Sequence, residues 1–190
     1  SMGCSNVHIG MSGGPVTTGF GADVDALASQ SSTLADNLRQ LLRDGWTIRY
    51  GAAGKGSYAD RAAKEIVIDS NSRGDTEAIV RVLAHESGHG LYEPDAYVPP
   101  SGLTKEEYVD RNTNSALKDE GEATMTNSDV RKELNDAGAG DIGISGNESE
   151  KYEEIAAVYP APADRDQARQ EIGDTFADGE NPSTDPGKTY

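Results

Sequence analysis

"TEAIVRVLAHESGHGLY", residues 76–92, holds two of the chain's three histidines, His85 and His89, with Glu86 beside the first. The apolar residues of its first half recur at helical spacing, which predicts a helix across the stretch. Residues four apart on an α-helix lie about 40° apart around the axis. His85 and His89 therefore share a face and can present imidazole nitrogens to one ion at the roughly 2.0–2.1 Å that zinc prefers. Glu86 flanks such an ion rather than binding it, which suits a general base. Zinc brings the pKa of a bound water from about 15.7 toward 7, and Glu86 would take the proton. Gly90 is placed to stop the helix. The ordinary alternative, two histidines on a polar helix face, leaves the pairing with Glu86 unexplained.

A catalytic zinc usually has three protein ligands and one open position. Asp95 falls at the last position of the extended pattern H-E-x-x-H-x-x-G-x-x-H, but Tyr92 stands where glycine must turn left-handed. His8 belongs to a glycine-rich opening segment and would make a poorly preorganised ligand. "SALKDEGEATM", 115–125, offers Glu120 and Glu122. With Leu117 set at zero and about 100° per residue, Ala116, Ala123, Val130 and Leu134 cluster at about 220–260°. Glu120 falls at about 300°, beside that inward cluster, and Glu122 at about 140°, on the far side. Glu120 is the expected third ligand. Asp119, at about 200°, borders the inward face and could orient a ligating histidine from behind.

With "HESGH" at 85–89 and "EGEA" at 120–123, the chain resembles the zincin metallopeptidases of gluzincin type. That resemblance implies zinc on His85, His89 and Glu120, Glu86 as catalytic base, and a small sheet packed on the active-site helix. The order "KEIVID", "LAHESGHGLY", "DEGEAT" is similar to metallopeptidase toxin domains of bacterial type VI secretion and polymorphic-toxin proteins. It implies a protein or peptide substrate, a cognate immunity protein, and delivery into the periplasm or cytoplasm of a target bacterium. The 30 residues between His89 and Glu120 exceed the spacing common in several gluzincin families. A housekeeping bacterial metalloprotease and a non-catalytic, zinc-stabilised binding module are the alternatives. For the oxyanion, Tyr92, Tyr97 and Tyr108 are the nearest phenol donors in sequence.

The remaining residues set the frame. A length of 190 residues with 35% hydrophobic content predicts one domain with a modest core. The net charge of -16 repels phosphates and anionic lipid, which excludes direct nucleic-acid binding and membrane insertion as expected roles. Cys4 alone makes no internal disulfide. The first 21 residues have neither the basic start nor the apolar run of a signal peptide, so secretion would take another route.

The expected fold class is α+β and zincin-like. Residues 1–21 read as a flexible arm, 22–175 as the metallopeptidase domain and 176–190 as a tail. Within the domain, 23–44 read as one helix and "WTIRY" and "KEIVID" as strands flanking a glycine-rich hairpin or flap. "KEIVID" either offers a free edge to an extended peptide or is paired on both sides. Residues 104–136 read as one or two helices capped by Thr104, and "AGAGDIGISGNES" as a flexible connection before two further helices.

Overall fold

The computed structural model describes residues 15–94 and 102–180, and these form an α+β fold of six α-helices and one three-stranded mixed sheet. The chain runs α1 (Ala22–Ser29), α2 (Ser32–Arg43), β1 (Thr47–Gly51), β2 (Tyr58–Asp60), β3 (Glu65–Asp69), α3 (Thr76–Leu91), α4 (Lys105–Asp136), α5 (Ser149–Val158) and α6 (Arg165–Gly179). No helix among the described residues is long and apolar enough to cross a membrane.

The helix expected over 23–44 is two helices. Ser31 breaks it because its hydroxyl accepts from the Leu34 amide, the usual N-cap arrangement. Glu133 of α4 accepts from the Ser31 hydroxyl at 2.7 Å and from the Thr33 amide at 2.9 Å. A carboxylate from a distant helix thus completes the cap of α2. Val24, Leu27, Leu34, Leu38 and Leu41 all bury against Ile66, Ile68, Ile79, Leu83, Val130 and Leu134. Each such leucine or isoleucine contributes about 1.5–3 kcal/mol relative to exposure.

In the sheet, β1 lies parallel to β3 and β2 antiparallel to it, in the order β1-β3-β2. "KEIVID" therefore supplies the central strand, paired on both sides, and among the described residues β1 and β2 are the edge strands. Its continuous Ile66-Val67-Ile68 run is buried, as expected of a strand covered on both faces. Lys64, placed in the strand by its sequence, stands outside it with φ 54°, a left-handed residue ending the β2–β3 turn. The glycine-rich segment after β1 is pinned by Asp69. Its carboxylate accepts from the amides of Gly54, Gly56 and Asn71, and these bonds hold it below its ordinary pKa.

α4 is one continuous helix, and Thr104 caps it by accepting from the Glu107 amide. Val130 and Leu134 join the main core, while Met125 meets Ile144, Tyr152, Ala168 and Ile172 in a second cluster. Three boundaries differ from expectation. Val16, in the segment read as an arm, packs in the core, and the Thr18 amide and hydroxyl both donate to Asp25. The connection after α4 is held in place: Ile142 and Ile144 are buried, and the Asn127 side chain bonds Gly143 and Ser145. The start of the expected tail, 176–179, lies inside α6, and buried Glu180 accepts from Tyr152 and from the amides of Asn147 and Glu148.

Candidate metal centre

α3 is capped by Asp75, whose carboxylate accepts from the Ala78 amide, and runs from Thr76 to Leu91. Gly90 does not stop it. A side chain there would press on Leu41 and Trp46, with its Cβ 3.0 Å and 3.3 Å from their nearest atoms, so this glycine serves packing against α2. Gly88 serves the crossing with α4, since a Cβ would sit 2.8 Å from the Ala123 Cα. The two helices cross here, and the crossing brings Glu120 to the histidine face.

His85 Nε2 lies 3.1 Å from Glu120 Oε1, and His89 Nε2 lies 3.0 Å from Glu120 Oε2. One ligand atom from each of the three residues falls within 4.8 Å of the others, so His85, His89 and Glu120 can hold a metal ion. Donors held about 2.1 Å from a tetrahedral ion stand about 3.4 Å apart, and the three side chains are close enough together for each to contribute one such donor. Among the described residues the cluster offers two imidazoles and one carboxylate, a donor set that zinc takes.

Around these three residues, Asp119 and Glu86 do different work. Asp119 Oδ1 lies 2.9 Å from His89 Nδ1, leaving Nε2 turned toward Glu120. Burial opposes the charge on Asp119, but bonds to His89 and Arg61 outweigh it and hold the carboxyl below its ordinary pKa. Burial also works against charge on His89, yet bonds to Asp119 and Glu120 push the imidazole up to about 10. Glu120 is held well below the usual carboxylate range by the two histidines despite its burial. Glu86 is 6% exposed, its Oε2 has no hydrogen-bond partner among the described residues, and burial pushes its carboxyl up.

Glu122 faces the other way, as its phase predicts. It accepts both arms of Arg165 at 2.9 Å and 3.0 Å and the Arg169 Nε at 2.7 Å, tying α4 to α6. Gly121 lets α6 come close, because a Cβ there would overlap the Arg169 backbone. Ala116, whose helical phase places it with the inward residues, is exposed, since α4 runs beyond the core at that end.

Tyr92 caps α3, and the Arg169 guanidinium stands 5.2 Å from its ring centre. Tyr108 sits about 18 Å up the axis of α4 from Glu120, beyond the reach of a phenol. His8, Cys4, Asp95 and Tyr97 lie outside the described residues. Arg61, in the β2–β3 turn, escaped sequence reading because no periodicity or motif marks it. Its Nη2 donates to Asp119 Oδ1 at 2.6 Å and to the His89 carbonyl at 2.7 Å.

Comparison with protein-family models, curated proteins and solved structures finds no match to this chain. What the geometry defines is a class of site: a His–His–Glu cluster that could hold a metal ion, on two crossing helices of an α+β fold, with a buried glutamate beside it.

Proposed function

We propose that the chain is a zinc-dependent peptidase of zincin type, acting as a toxin domain delivered into a target bacterium. One observation carries the reading: His85, His89 and Glu120 converge on one point while adjacent Glu86, buried, keeps a carboxylate oxygen without a partner. Zinc bound by those three residues would supply Lewis acidity toward a peptide carbonyl and toward an attacking water. Glu86 Oε2 receives the proton of that water and later passes it to the leaving amine. Its burial favours the first of these steps, because a carboxyl raised above its ordinary pKa takes up a proton more readily. Asp119 keeps the His89 ring turned so that Nε2, not Nδ1, faces the ion. The toxin role follows from the resemblance of "LAHESGHGLY" and "DEGEAT" to effector metallopeptidases, and a cognate immunity protein is its expected partner.

The test compares wild type with Glu86→Ala, each expressed in the bacterial cytoplasm and periplasm, with zinc measured on the purified proteins and cleavage followed on a denatured protein mixture. Wild type should be toxic in one compartment and cleave protein. Glu86→Ala should bind one zinc per chain yet lose at least about 10²-fold in cleavage, together with toxicity. Equal toxicity and cleavage by the two proteins would remove the peptidase reading.

A further inference from the structure

Helix α3 ends at Leu91, which leaves the carbonyls of its last turn without partners in the helix. The Tyr92 amide takes the Gly88 carbonyl. The next carbonyl, that of the ligand residue His89 itself, accepts from Arg61 Nη2 at 2.7 Å. The same nitrogen donates to Asp119 Oδ1 at 2.6 Å, and that oxygen stands 2.9 Å from His89 Nδ1. These three bonds close a ring that starts at the backbone of His89 and returns to its imidazole. His85 has no equivalent: its Nδ1 is buried without a partner among the described residues.

We propose that Arg61 is a positioning residue for metal binding, fixing the His89 ring by holding Asp119 and the end of α3 in one bonded circuit. This rests on the reading of His85, His89 and Glu120 as metal ligands. A carboxylate alone can swing about its own side-chain bonds, whereas one clamped by a guanidinium presents its oxygen from a fixed point. The cation also lies at the C-terminal end of α3, where the helix dipole favours it. Arg61 comes from the β2–β3 turn, so the circuit joins sheet, α3 and α4. Its side chain is 40% exposed, and its loss removes no core packing.

Zinc affinity is measured by competition with a chromophoric chelator for wild type, Arg61→Ala, Arg61→Lys, Asp119→Ala and the Arg61→Ala/Asp119→Ala double variant. Arg61→Ala should weaken zinc binding about 10–100-fold, the range typical when a partner behind a metal ligand is lost. Arg61→Lys keeps the charge on a shorter side chain without the planar guanidinium nitrogen that donates to both acceptors, and should fall between; it carries the comparison should the alanine variant misfold. The double variant should bind no more weakly than Asp119→Ala, because the two residues act in one circuit. In the zinc-loaded protein the His89 Nδ1 proton resonance should shift in Arg61→Ala, while the zinc-free variant still folds, as circular dichroism and cooperative unfolding would show. Zinc affinity of Arg61→Ala and Arg61→Lys within about twofold of wild type, or losses that multiply in the double variant, would overturn the proposal. Failure of wild type to bind zinc would overturn the metal reading itself and the proposal with it.

Discussion

Glu120 and Glu122 stand two positions apart on α4 and meet different partners: one faces two histidines, the other two arginines. Helical phase separated them in the sequence, because about 200° of rotation between i and i+2 puts them on opposite faces. Glu120→Ala should therefore lose most of its bound zinc. Glu122→Ala should keep it and instead lose stability, since partly buried Arg165 and Arg169 lose the carboxylate they share, leaving Arg165 with Asp129 and Arg169 with Asp166. Metal analysis and thermal unfolding of the two variants separate these outcomes; zinc loss greater in Glu122→Ala would reverse the assignment. Arg61 marks what the sequence left unread. It sits 58 residues from Asp119 in the chain, in a turn with no periodic pattern, and only the fold brings the two together.

Secondary-structure elements explain the letters around the ligands. Gly88 and Ala123 let α3 and α4 cross, and Gly121 and Gly173 let α4 and α6 touch backbone to backbone. "HESGHG" and "EGEA" thus alternate residues that can bind or move protons with residues small enough to bring the helices together. Gly121→Ala should destabilise the protein by about 1–3 kcal/mol, because the added methyl forces α6 outward. On a domain of this size that lowers the melting temperature by about 2–4 °C per kcal/mol. An unchanged melting temperature would mean that the crossing yields without strain. The helical elements were largely legible, since Leu34, Leu38, Leu41, Val130 and Leu134 keep helical spacing and are all buried. The break at Ser31 was not, because the apolar spacing of Leu27 and Leu34 continues across it. β2 was hidden too: three residues in a glycine-rich stretch become a strand only because β3 has an edge for them.

For the molecule as a whole, two apolar clusters share the long helix α4, and the connection Asp141–Ile144 closes the gap between α4 and α5. Arg131 holds that connection through two bonds to Asp141, at 2.7 Å and 2.8 Å. Together with the Gly143 amide they pull the Asp141 carboxyl down to about 2. A carboxyl lowered on folding stabilises the native state above its unfolded pKa, near 3.9, and that contribution fades as pH falls through about 2. Asp141→Asn should thus be less stable than wild type at pH 6, with the difference shrinking toward pH 2 as measured by denaturant unfolding. A difference of equal size at both pH values would contradict the ion pair. The acidic surface, net -16, was fully legible from composition, whereas the packed state of "AGAGDIGISGNES" depends on Asn127 and Arg131, residues a local reading does not connect to it.

The most direct measurement of the metal centre is X-ray absorption at the zinc edge on the loaded protein, wild type beside Glu120→Ala. Wild type should show two imidazoles and further oxygen donors at about 2.0–2.1 Å, in a shell of four to five light atoms, and Glu120→Ala should lose occupancy or a carboxylate oxygen. A shell without imidazole, or one containing sulfur at about 2.3 Å, would place the ion elsewhere and contradict the account.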